Sequence, residues 1–287
     1  MFVQILHPLL SVICLTFALT LGPFQTDTAS ADDAGRFEGL QSDLQALTEE
    51  ERAEFFDFVA GNTVFVTYHE AGHMLVSELE LPVLAQEEDA VDNLATVSML
   101  AADTDDMDVY LTHAMTGWFL MSEEDYDALV FYGEHDLDQQ RGYRMLCLMV
   151  GADEDAFLDL AQELDLPEDR IESCAVDYEQ AADSWEYVTD PFVREEDTAA
   201  GRIKVIHETA PENLGFLAAF LKDTKILETI AEELDTFYDL PENVTFRSAS
   251  CGEDNAFWDA DTREVIICHE LLGGFAELYL ELISDDG

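Results

Sequence analysis

Basic residues are scarce in this chain: 12 lysines and arginines stand against 64 aspartates and glutamates, which gives a formal net charge of −52. A field of this sign repels nucleic acid phosphates and anionic membrane surfaces. Binding to DNA or RNA is therefore excluded as a function. The acidic residues are spread along the whole sequence. This favours a solvated surface suited to high salt, and attraction of cationic substrates is the functional alternative.

Long apolar runs are missing after the first 31 residues. Leu9–Leu21 is an apolar run of the length found in signal peptides and is too short to span a bilayer comfortably. Ala29-Ser30-Ala31 supplies the small residues of a cleavage site, although no lysine or arginine precedes the run. We therefore expect residues 1–31 to be a signal peptide. The mature protein is then periplasmic or extracellular, with no stable membrane anchor.

Cysteine is also infrequent. Because no CxxC motif occurs, a metal site built from the cysteines is the weaker interpretation. Without the leader four cysteines remain: Cys147, Cys174, Cys251 and Cys268. An even number fits an oxidising compartment, and four cysteines allow three pairings. We favour Cys147 with Cys174 and Cys251 with Cys268. Each pair closes a short loop, which is worth about 3 kcal/mol in the chain-entropy model.

The sequence has no tandem repeat and no linker rich in proline, glycine or serine, so residues 32–287 are expected to form a single domain. Most patterns are helical. Thr48 to Glu51 has the spacing of a capping box, and Gly61-Asn62 is typical of a helix end. A short strand is then predicted at 63–66, directly before a helix that ends near Pro82. Further helices are predicted from Glu87 towards Ala102, across most of 107–190, at 213–238 and at 270–283.

Strands are predicted at 201–207, 244–250 and 264–268, the last two forming a hairpin around a turn at Trp258–Asp261. The fold class expected from these patterns is α+β, predominantly helical, with a small β-sheet or hairpin.

The segment His69-Glu70-Ala71-Gly72-His73 has the pattern HExxH. On a helix, residues four apart lie on one face, so His69 and His73 can present two imidazole nitrogens to one metal ion. Glu70 would then face a water on that ion. This is the ligand pair and general base of a zinc hydrolase, and it predicts Zn²⁺ as cofactor.

A third ligand is needed, and the sequence offers Glu87, Glu88 and Asp89 on the next predicted helix. The pattern HExxHxxGxxH is excluded because its last two positions are Val76 and Leu79. In gluzincins the ligand glutamate is followed four residues later by an aspartate that accepts the other ring N–H of a zinc histidine. Only Glu88 with Asp92 has this spacing. We therefore favour Glu88 as ligand over Glu87, and Asp92 as the partner of a histidine.

Several segments resemble one family. These are YHEAGH and ELPVLAQEEDAVD at 68–92, EHDLDQQRGYRMLC at 134–147, and CGEDNAFWD with VIICHEL at 251–271. They are similar to the zinc metallopeptidases of exported bacterial proteins, a family usually labelled only as a domain of unknown function. The resemblance extends over most of the mature chain. It implies a zincin-like fold and hydrolysis of a peptide or protein substrate.

In such a mechanism Glu70 takes a proton from the attacking water and passes it to the leaving amine. An oxyanion partner is also needed. His135, with Arg141 two helical turns further on, is the first candidate, and His269 is the second. The alternative is a zincin-fold protein that binds a partner or ligand and no longer hydrolyses peptides. The intact Glu70 argues against it, because binding alone needs no base.

Overall fold

The computed structural model describes residues 35–122, 129–195 and 199–285, and within them the chain is a predominantly helical α+β protein, as the sequence predicts. The helices are α1 (Leu40–Ala46), α2 (Glu49–Glu78), α3 (Glu87–Ala101), α4 (Asp105–Met121), α5 (Asp138–Ala152), α6 (Glu154–Glu163), α7 (Glu168–Thr189), α8 (Gly215–Thr224), α9 (Ile226–Phe237) and α10 (His269–Asp285). The strands are β1 (Ile203–His207), β2 (Val244–Ala249), β3 (Ala256–Asp259) and β4 (Glu264–Cys268). The predicted signal peptide lies outside the described residues.

The four strands form one sheet in the order β1-β2-β4-β3. β1, β2 and β4 are parallel, and β3 runs antiparallel to β4 at the edge. The predicted hairpin of 244–250 with 264–268 is therefore wrong. Its two strands are parallel neighbours, and the hairpin consists of β3 and β4. β3 is only four residues long and carries part of the segment that resembles a turn, so its pairing with β4 decides its conformation.

The HExxH segment lies in one continuous helix, and the predicted stop at Gly61-Asn62 and the strand at 63–66 are both wrong. α2 begins at the predicted capping box, with Thr48 as N-cap, and runs for 30 residues. Gly61 is needed for packing, because a Cβ there would collide with the backbone of Tyr110 on α4. The Asn62 side chain donates to the carbonyl oxygens of Phe58 (2.9 Å) and His113 (3.2 Å). Burial thus overrides local propensity.

α2 is the central helix of the core. It packs against α3, α4, α9 and α10 and against strands β3 and β4. More than half of its residues are buried, including Phe55, Phe58, Phe65, Met74 and Leu75. The residues of the HExxH motif are therefore fixed by the main hydrophobic core of the described structure.

The four cysteines are paired as the sequence predicts. One disulfide joins Cys147 on α5 to Cys174 on α7, and the other joins Cys251, just after β2, to Cys268 at the end of β4. Each closes a short loop, so each contributes about 3 kcal/mol by constraining the unfolded chain. Among the described helices none combines the length and the apolar character that a membrane span requires.

Candidate metal centre

The two histidines of the motif stand one turn apart on the buried side of α2. His69 is only 5% exposed, and its ring centroid lies 5.0 Å from that of His73. As the four-residue spacing predicts, the imidazoles of His69 and His73 lie next to each other on one face of α2.

Helix α3 crosses α2 closely at this point, and Gly72 makes the close approach possible. A Cβ on Gly72 would lie 2.7 Å from Cγ1 of Val91, which is a fully buried residue of α3. The first turn of α3 thereby reaches the two histidines. Gly72, the small residue inside HExxH, thus indicates in the sequence where α3 packs against α2.

Gly72→Ala is therefore expected to lower the free energy of unfolding by about 1–3 kcal/mol, because overpacking in a filled core has that cost. It is also expected to weaken metal binding, since α3 must move away from α2. The measurements are chemical denaturation and metal titration. Gly215→Ala is the matched control: its Cβ would meet nothing within 4 Å, so we expect unchanged or slightly raised stability. A Gly72→Ala protein as stable as the wild type would contradict this packing argument.

Glu88 on α3 completes a group of three. Its Oε2 lies 3.2 Å from Nε2 of His69 and 3.3 Å from Nε2 of His73. The three potential ligand atoms all lie within 4.8 Å of one another. Oε2 is buried and accepts no hydrogen bond of acceptable geometry, although it is surrounded by imidazole nitrogens. A carboxylate oxygen and two imidazoles of this kind suit a zinc ion, so the residues present fit the metal that the sequence predicts.

The electrostatics of the cluster also favour a cation. Burial lowers the pKa of His69, but the hydrogen bond to Asp92 and the nearby Glu88 carboxylate outweigh this and raise it to about 9. Burial likewise opposes the charge of Glu88, and the close imidazoles of His135, His69 and His73 nevertheless hold its pKa well below the usual range. The surrounding carboxylates thus stabilise positive charge between the two helices.

Asp92 binds His69 from the side opposite to Glu88. Its Oδ1 lies 2.7 Å from Nδ1 of His69, and Nε2 of the same ring faces Glu88. Arg141 on α5 donates from Nε to Oδ2 (2.7 Å) and from Nη2 to Oδ1 (2.8 Å) of the same carboxylate. Burial opposes the charge, but the hydrogen bonds from His69 and Arg141 lower the pKa of Asp92 to about 2. The Cζ atom of Arg141 also lies 3.5 Å from the centre of the Trp118 ring. Because its described contacts are with Asp92 and Trp118, Arg141 supports Asp92 and not His135.

Glu70, the predicted base, lines the same cleft and is 7% exposed. Burial raises its pKa, and the charges of His69 and His73 oppose the shift without cancelling it. A hydrogen bond from the backbone of Trp258 on β3 holds the carboxylate. A carboxylate with a raised pKa is a better proton acceptor, which suits a general base.

His135 reaches the site from the segment between α4 and α5. Its Nε2 lies 2.8 Å from Oε2 of Glu88, and its ring stacks at 6.3 Å from that of His69. Arg144 holds this segment against α3, because it forms ion pairs with Asp89 on α3 and with Asp136. The structure therefore brings His135 to the other predicted residues.

The second oxyanion candidate is excluded by its position. His269 is fully buried at the start of α10, where Nδ1 lies 3.0 Å from Oγ of Ser250, and it does not line the cleft. Burial lowers its pKa, as expected of a neutral structural histidine.

The cleft around the cluster has a volume of about 940 Å³. One wall carries the motif residues of α2 and the first turn of α3. The edge strand β3, which the sequence did not reveal, also lines the cleft. Other lining residues that sequence reasoning missed are Asn62, Phe65, Trp118, Asn255, Phe257, Trp258 and Phe275. A cleft with an aromatic lining and an edge strand among its lining elements can hold an extended chain.

A helical α+β fold, an HExxH helix in its core and a glutamate from the next helix are features that a metallopeptidase would require. The comparison with protein families agrees. The chain belongs to the family described as "Putative metallopeptidase", whose model matches residues 35–188 and 207–286. No curated protein and no solved structure matches the chain significantly.

Proposed function

We propose that this protein is a zinc-dependent peptidase of the gluzincin type, in which His69, His73 and Glu88 bind the metal. The observation that carries the proposal is the position of Glu88 Oε2, which is buried, lacks a well-aligned hydrogen bond and lies within 3.3 Å of both Nε2 atoms. A zinc ion held there would acidify a water and polarise the scissile carbonyl.

The remaining chemistry belongs to side chains of the cleft. Glu70 accepts the proton of the attacking water and transfers it to the leaving amine. His135 donates from its ring to the oxygen of the tetrahedral intermediate, for which its exposed position beside Glu88 is suited. Asp92 keeps His69 in the tautomer that offers Nε2 as ligand.

The proposed substrate is a peptide or a protein segment in extended conformation. β3 is an edge strand, paired with β4 on one side only, and residues 255–258 line the cleft. An extended segment can pair with such an edge by backbone hydrogen bonds and thus place its carbonyl beside Glu70.

We also propose that the enzyme is a single domain over 32–287 that works after export. Two disulfides support an oxidising compartment, periplasmic or extracellular.

The test is metal analysis combined with digestion of a broad peptide library. Protein produced under oxidising conditions is expected to contain about one zinc per chain. It should cleave peptides, lose activity on chelation and recover it with added zinc. His73→Ala should lose both metal and activity. His207→Gln is the control, because His207 binds Ser248 and Glu228 outside the cleft. Zinc binding without any cleavage would favour the binding-only alternative, and absence of zinc would contradict the proposed zinc peptidase.

A further inference from the structure

We propose that Glu87 is a positioning residue that fixes His73 for the metal, in the way that Asp92 fixes His69. The inference rests on the proposed zinc site. Oε1 of Glu87 lies 2.8 Å from Nδ1 of His73, which closely matches the 2.7 Å between Asp92 and His69. In both histidines Nδ1 is occupied by a carboxylate, and Nε2 faces Glu88.

Glu87 and its neighbour Glu88 contact different atoms of His73, so their proposed roles differ. Glu87, the first residue of α3, contacts Nδ1 of His73 with a side chain that is 44% exposed, while Glu88 contacts Nε2 with a side chain that is 18% exposed. Glu87 is not part of the group of three ligand atoms. The two glutamates that compete for the ligand role in the sequence thus have different tasks, one toward Nδ1 and one toward Nε2.

Helix formation alone does not account for the contact. An acidic residue at a helix start is favoured by the macrodipole, and Glu168 at the start of α7 has this position too. Glu168 is exposed, whereas Glu87 is directed at a histidine. The side chain of Glu87 is 44% exposed, so its bond adds little to folding stability. Its effect is therefore expected in metal binding.

The two carboxylates differ in how firmly they are held. Asp92 is buried and bound by Arg141, whereas Glu87 is partly exposed. His73 is then the less constrained of the two histidine ligands. An outer carboxylate of this kind orients the imidazole ring and makes its Nε2 a stronger ligand for the metal. Loss of such a carboxylate typically weakens metal binding about 10–100-fold.

The test measures zinc affinity by competition with a chromophoric chelator in Glu87→Ala, Glu87→Gln and the control Glu168→Ala. We expect about 10–100-fold weaker binding in Glu87→Ala and wild-type binding in the control. Glu87→Gln should lie between them, because its amide oxygen can still accept from Nδ1. The absorption spectrum of the Co²⁺-loaded protein should change in Glu87→Ala and not in Glu168→Ala. Unfolding of the metal-free proteins should be unchanged.

Wild-type affinity and an unchanged Co²⁺ spectrum in Glu87→Ala, with binding abolished in His73→Ala, would overturn the role of Glu87 and leave the zinc site intact. A wild-type protein that binds no zinc would overturn the zinc site, and this inference with it. If Glu87→Ala lowers the stability of the metal-free protein, the isosteric Glu87→Gln decides: weakened zinc binding at unchanged stability supports the role, and wild-type binding refutes it.

Discussion

Glu70→Gln is expected to abolish most peptide cleavage while the protein keeps its zinc. Glutamine has the shape of glutamate but cannot accept the proton of the attacking water, and general base catalysis is worth about 10²–10⁴ in rate. His69, His73 and Glu88 are unchanged in this variant, so metal content should stay at the wild-type level. The measurement pairs kcat on a cleaved library peptide with zinc analysis of the same sample.

Glu78→Gln is the matched control for this experiment. Glu78 lies at the end of the same helix, where it accepts a hydrogen bond of 2.9 Å from Arg263, and it does not line the cleft. We expect its turnover to equal that of the wild type. A Glu70→Gln enzyme with wild-type kcat would mean that another group serves as base. Loss of zinc in Glu70→Gln would mean that Glu70 holds the metal and not the proton.

Arg141→Met is expected to have the largest effect on stability of the substitutions considered. Arg141 and Asp92 form a bidentate pair and are 8% and 6% exposed. Removing one partner of a buried pair costs about 3–5 kcal/mol, a large part of the stability of a typical domain, and here it leaves Asp92 with His69 but without both guanidinium bonds. Zinc affinity should fall as well, because Asp92 loses its fixed orientation toward His69. Denaturant unfolding and zinc competition measure the two effects.

A surface pair provides the comparison. Arg170 forms an ion pair with Asp177 in which both side chains are at least 40% exposed, so Arg170→Met should cost less than about 1 kcal/mol. The double variant Asp92→Asn with Arg141→Met removes both charges and should be more stable than the sum of the single effects predicts. If Arg141→Met unfolded at the same denaturant concentration as the wild type, the pair of Arg141 and Asp92 would not stabilise the protein.

The parts of the site that the sequence predicts depend on short-range geometry. The four-residue spacings of His69 with His73 and of Glu88 with Asp92 place side chains on one helix face whatever the rest of the chain does. The capping box at Thr48 and the two short disulfide loops are local in the same sense. These features could therefore be derived without knowing how the helices pack.

The parts that the sequence does not predict depend on contacts between distant segments. Gly61-Asn62 has the composition of a helix end, and only the packing of α4 against Gly61 shows why the helix continues. The bond between Arg141 and Asp92 joins residues 49 apart in the sequence. β3 is too short to identify without its partner β4. No local pattern contains this information.

The elements that line the cleft differ in how freely they can be altered. Glu70 and both histidines of the motif belong to the central helix α2, where even a methyl group on Gly72 would meet Val91. The cleft is also lined by the edge strand β3 and by Glu134 and His135 from the segment before α5. Asn255 and Glu134 are exposed and Phe257 is half-buried, whereas Ala256 belongs to the hydrophobic core. Randomised libraries that aim at new cleavage preferences should therefore target Asn255, Phe257 and Glu134, and leave α2 and Ala256 unchanged.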